Sequence, residues 1–70
     1  MNHVREYRRA KKLSQMALAE KVDVARQTIN LIENDKYNPS LDLCLKLAWE
    51  LDTDLNTLFW RDKEKKLKYT

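Results

Sequence analysis

Residues able to read a base pair cluster in the middle of this 70-residue chain. Arg26, Gln27, Asn30, Leu31 and Asn34 fall on the outer side of one short helical stretch. Arg, Gln and Asn carry the paired hydrogen-bonding groups that match base edges in the major groove. Arg26 and Gln27 occupy the first turn, the part of a recognition helix that reaches the bases. Leu31 is the odd member, an apolar side chain placed to touch either a thymine methyl or a neighbouring protein. Catalytic chemistry is poorly served by comparison. His3 stands near the start of the sequence, Cys44 lies on an apolar stripe, and no nucleophile has a neighbouring base. Neither an enzyme nor a cofactor or metal site is expected.

Something must hold those readers at a fixed angle. Leu18, Ala19, Val22 and Val24 space out one short helix, and Ile29 and Ile32 pin a second from beneath. Between them Asp23 tolerates a left-handed turn. Two helices so closely joined must cross steeply, which is helix-turn-helix geometry. Ala19 is small enough to let them approach. Ser14 is placed to cap the first of the pair, with Leu13 and Leu18 as a hydrophobic staple. Gln15 then sits beside backbone N–H groups that favour a phosphate.

The run LSQMALAEKVDVARQTINLIENDKYNPSLDLCLKLA resembles the Cro/CI-type (Xre, lambda-repressor-like) helix-turn-helix family. Its marks, in order, are Leu13-Ser14-Gln15, Leu18-Ala19, Arg26-Gln27-Thr28-Ile29, Ile32-Glu33-Asn34 and Asn38-Pro39-Ser40-Leu41. The similarity covers roughly residues 4–59. It implies an all-α, compact five-helix lambda-repressor-like domain, and it adds roles to particular positions. Gln15 would contact the DNA backbone and brace a base-reading residue, and Thr28 joins the DNA-contacting set. Arg8 would pair with Glu33, tying the first helix to the third. Lys36, Tyr37 and Asn38 would grip phosphates from the loop after the recognition helix.

The remaining elements follow from capping and periodicity. A first helix is expected over residues 4–12, the recognition helix over 26–34, a fourth over 41–51 and a last over 55–59. Ala25 is a poor cap for the recognition helix, where Ser or Thr is typically worth ~1 kcal/mol more. Either stability was given up there or the methyl meets a thymine. On the fourth helix Leu41, Cys44, Leu45, Ala48 and Leu51 read as the inward stripe, with Leu43 and Leu47 widening it. Trp49 shares its face with Asp42 and Lys46. The chain has no glycine, and Lys12, Asp23 and Asp35 stand where relatives often turn on one.

A chain this short buries only ~60% of its extended surface. With Cys44 as its sole cysteine it has no internal disulfide, which suits a reducing compartment. No apolar run approaches membrane-spanning length, and no signal-peptide pattern opens the sequence, so a cytoplasmic protein is expected. Net charge is +3, unevenly spread. Residues 1–12 carry net +4, residues 40–58 net −3 and residues 59–70 net +3. Such polarity suits a body that approaches a polyanion in one orientation.

The organisation expected is a DNA-binding domain over residues 1–60 and a basic tail over 61–70. One recognition helix with about two bidentate contacts, each worth about 1–3 kcal/mol, cannot select a genomic site alone. A homodimer of repressors on a palindromic operator is therefore expected, with Trp49, Leu55, Leu58 and Trp60 as the dimer contacts. The alternative is an antitoxin or adaptor that works mainly through protein–protein contacts.

Overall fold

The computed structural model describes residues 2–59. They form five helices: α1 (Val4–Ala10), α2 (Gln15–Lys21), α3 (Arg26–Glu33), α4 (Leu41–Glu50) and α5 (Leu55–Phe59). No strand occurs among the described residues, and none of the helices is long and apolar enough to cross a membrane.

N-cap side chains start three of these helices. Ser14 Oγ accepts from Ala17 N at 2.9 Å, Ser40 Oγ from Leu43 N at 3.2 Å and Asp54 Oδ1 from Thr57 N at 2.8 Å. Each satisfies an N–H that a helix start leaves without an internal partner. α3 begins at Ala25 with no side-chain cap.

The first four helices all end by one device. The N–H of Leu13 donates to the Arg8 carbonyl at 3.1 Å, Val24 to Ala19 at 3.0 Å, Lys36 to Leu31 at 2.8 Å and Thr53 to Ala48 at 2.9 Å. This is the six-to-one bond of a Schellman turn, which needs a left-handed residue just past the helix. Lys12, Asp23, Asp35 and Asp52 supply it, at φ 59, 60, 56 and 54°. Three of those places were marked in the sequence and Asp52 was not. The left-handed turn at Lys12 also explains why α1 stops at Ala10, two residues short of the expected end. α3 and α4 likewise close one residue early, with Asn34 and Leu51 as their C-caps.

Val4, Leu18, Ala19, Val22, Ile29, Ile32, Leu43, Leu47, Ala48, Leu51 and Leu58 form one buried core. α2 packs on α3, α1 on α3 and α5, and α4 on α5. The inward face of α4 differs from the expected one. Leu43, Leu47, Ala48 and Leu51 are buried, whereas Leu41 and Leu45 are 67% and 51% exposed. Residues two apart on a helix stand about 200° apart around its axis. α4 carries two leucine stripes of equal period, so choosing one for the core turns the other outward. Trp49 completes the outward stripe at 82% exposed.

Candidate nucleic-acid interface

α3 rests on Ile29 and Ile32, both buried, and this turns Arg26 and Gln27 out into solvent. Thr28, Asn30 and Leu31 are half-buried along its flanks. The Schellman bond from Lys36 N to Leu31 O fixes where the chain leaves the helix, and Lys36, Tyr37 and Asn38 follow as exposed residues. Side chains able to match base edges and side chains able to hold phosphates are thus contiguous in the chain, and Arg26, Gln27, Lys36, Tyr37 and Asn38 are all accessible.

Beneath that surface lies a polar network centred on Glu33, which is 1% exposed. Arg8 Nε donates to Glu33 Oε2 at 2.6 Å and Arg8 Nη2 to Oε1 at 3.3 Å. Arg8, itself 8% exposed, also donates from Nη1 to the Leu13 carbonyl at 2.8 Å. Gln15 Nε2 donates to Glu33 Oε1 at 3.2 Å. With its nitrogen committed inward, the Gln15 amide points its oxygen outward, and Arg26 Nη1 donates to that oxygen at 3.2 Å. A buried carboxylate is thereby connected through one glutamine to the exposed Arg26.

The charge of Glu33 is secured by its partners. Burial alone pushes the carboxyl up, but the hydrogen bonds from Arg8, Gln15 and Arg5 and the Arg8 charge outweigh it and leave the group below its ordinary value. Burying a carboxylate without such partners would be costly. No buried side-chain polar atom among the described residues lacks a hydrogen bond.

Two features of the site went unmarked in the sequence. Arg5 donates from Nε to Glu33 Oε1 at 3.2 Å and from Nη2 to Asn34 Oδ1 at 3.0 Å. Its position one turn before Arg8 was the available signal, since residues three apart share a helix face. Asn34, placed by sequence among the outward readers, is instead occupied within the protein, because its Nδ2 donates to the Asn30 carbonyl at 2.8 Å.

The residues expected to join two copies separate into different environments. Trp49 is exposed, and Leu55 is half-buried against the core. Leu45, Ala48, Trp49, Thr53 and Leu55 border a shallow groove between α4 and α5. Leu58 is fully buried and cannot meet a partner. It lies on the inner side of a one-and-a-half-turn helix whose few apolar residues are needed to close the core. Trp60 lies outside the described residues.

Comparison with known proteins agrees with this geometry. The profile of the family described as Helix-turn-helix matches residues 4–58. A protein of Archaeoglobus fulgidus described as an uncharacterized HTH-type transcriptional regulator is 43% identical over 61 residues, covering 87% of each chain. The immunity repressor protein of Bacillus phage phi105 is 32% identical over 69 residues, 94% of this chain and 48% of its own. Among solved structures, the restriction-modification controller protein C.AhdI of Aeromonas hydrophila superposes with a TM-score of 0.74. It is 41% identical, with 80% of this chain and 85% of that one covered.

Proposed function

Because the chain belongs to the Cro/CI-type helix-turn-helix family of transcriptional regulators, we propose that it is a sequence-specific repressor that binds a palindromic operator as a homodimer. In this reading α3 enters the major groove with Arg26, Gln27, Thr28, Asn30 and Leu31 toward the bases. Gln15 and the Lys36, Tyr37 and Asn38 loop hold the flanking phosphates, and the protein works in the cytoplasm. The observation that carries the reading is the chain of contacts from buried Glu33 through Gln15 to exposed Arg26. A reader held from below has less freedom to lose when it meets a base, so its contacts discriminate better.

Pairing of copies is supported by the outward stripe of Leu41, Leu45 and Trp49 beside Leu55. Three large exposed apolar residues on one helix face mark an interaction surface. The charges around it, Lys21 and Lys46 with Asp42, Glu50 and Asp54, include both signs. Charges of both signs suit a two-fold interface, because the same patch must complement itself. The repressor role is supported by similarity to the phage immunity repressor. The same stripe favours a second reading, an antitoxin or adaptor whose exposed face takes a different protein.

Selection of bound duplexes from a random pool tests the proposal. An enriched inverted repeat with half-sites about 34 Å apart is the expected result. Enrichment of no sequence, with equal affinity for all duplexes at low salt, would overturn it. A folded monomer that pairs only with a second protein would favour the adaptor reading.

A further inference from the structure

Glu33 Oε1 is shared by three donors from two helices. Arg5 Nε lies at 3.2 Å and Arg8 Nη2 at 3.3 Å, both from α1, and Gln15 Nε2 lies at 3.2 Å from α2. All three distances are long beside the single 2.6 Å bond that Oε2 accepts from Arg8. Three N–H groups converging on one carboxylate oxygen exceed its two lone pairs, so each bond is weakened by the others. Arg8 has Oε2 and the Leu13 carbonyl to hold it in place regardless. The competition that matters is between Arg5 and Gln15.

Arg5 spends its other end on Asn34. Its Nη2 donates to Asn34 Oδ1 at 3.0 Å, and Asn34 Nδ2 donates onward to the Asn30 carbonyl at 2.8 Å. One guanidinium therefore bridges a residue inside the last turn of α3 and that helix's C-cap. It also helps hold the Asn34 amide with its oxygen toward α1 and its nitrogen toward the helix.

The geometry points to Arg5 as a positioning residue for DNA reading, which fixes the far end of α3 through Glu33 and Asn34 and limits how tightly Gln15 is drawn inward, and hence where Arg26 stands. This rests on the reading of Arg26 as a base contact. Arg5 itself touches no base in it. A planar fork is required for the task, because Nε and Nη2 must meet two acceptors on adjacent residues at once. A lysine would supply the charge at a single point and could not hold both.

The test uses Arg5→Ala and Arg5→Lys in the full chain, with the duplex that the wild-type protein selects and a scrambled duplex of the same composition. Both variants should lose discrimination between the two duplexes by about fivefold or more, the scale of one imperfectly placed base contact. The slope of log affinity on log salt should stay unchanged for Arg5→Lys. If Arg5 were a phosphate grip, Arg5→Ala would weaken both duplexes alike and lower that slope by about 1, and the inference would be wrong. It would be equally wrong if either variant lowered thermal stability and left the discrimination ratio intact, the mark of a purely structural role. A second readout needs no DNA. In the free protein the side-chain amide resonances of Gln15 and Asn34 should both shift in Arg5→Lys; unmoved signals overturn the inference even where DNA reading stands. A wild-type protein with no sequence preference would remove the DNA reading itself, while shifted amide signals would still report the contact network.

Discussion

Arg26 and Gln15 lie on different helices, yet the guanidinium of the one donates to the amide oxygen of the other at 3.2 Å. The contact spans the turn of the helix-turn-helix and makes the first residue of α3 depend on the first residue of α2. The same amide is held from behind by Glu33, so the exposed guanidinium of Arg26 is tethered to a carboxylate that solvent does not reach.

Readers and grippers should therefore separate in binding experiments. Arg26→Ala and Gln27→Ala should each cost about 1–3 kcal/mol of discrimination at particular base pairs. Lys36→Ala should weaken every duplex alike and make the salt dependence shallower by about one counterion. Titrations of selected and scrambled duplexes at several salt concentrations decide the matter. If all three variants behaved the same way on both duplexes, the roles assigned to them would be mistaken.

Acid should loosen the domain through Glu33. Its carboxyl is held below its ordinary value in the folded protein. A depressed acid contributes stability that is fully present above the unfolded value and is lost as pH falls through the folded one. Thermal stability should thus decline on acidification below about pH 4.3, the usual glutamate value. Glu33→Gln should be less stable at neutral pH and show a flatter acid limb. Glu33→Ala, which leaves Arg8 buried without its carboxylate, should cost about 3–5 kcal/mol. Melting curves from pH 3 to 7 provide the measurement, and parallel acid limbs for wild type and Glu33→Gln would refute it.

Glycine should be welcome at the helix ends. Lys12 holds φ 59° with a Cβ that a left-handed residue accommodates poorly. Lys12→Gly should gain about 1 kcal/mol, or about 4–8 °C in Tm for a domain of this size. Asp23→Gly should gain less, since aspartate tolerates the left-handed region better. Lys12→Ala keeps the Cβ and serves as the control. A gain in the alanine variant equal to that in the glycine variant would locate the effect in the lysine charge and not in the backbone.

The outward stripe of α4 can be tested without disturbing the core. Leu45→Glu and Trp49→Glu place a charge on a face that is exposed in one copy. Each should leave Tm nearly unchanged, convert a dimer to a monomer in sedimentation equilibrium, and reduce operator affinity toward that of one half-site. Leu58→Ala, at a fully buried position, should instead cost about 2–5 kcal/mol. A monomeric wild-type protein would remove the homodimer from the proposal.

Much of the fold was legible because its signals are local. Ser14 and Ser40 cap helices through bonds that span three residues, and Ile29 and Ile32 mark the underside of α3 by spacing alone. The orientation of α4 was not legible. Leu41, Leu45 and Trp49 repeat with the same period as Leu43, Leu47 and Leu51, and only the surface presented by the other helices selects between them. Arg5 was hidden for a related reason. Its acceptors, Glu33 and Asn34, lie 28 and 29 residues further along, and composition registers it only as one more cation. Leu58 reads in the sequence as a dimer contact, and tertiary packing places it in the core instead.

The two leucine stripes of α4 have a consequence for how such a protein diversifies. Substitutions on the exposed 41–45–49 side lie off the core, so under the proposed pairing drift there alters which copies associate without altering which sequence each one reads. Duplicated genes built on this plan could become mutually exclusive partners, or mixed pairs with asymmetric targets, by changing as few as two or three side chains.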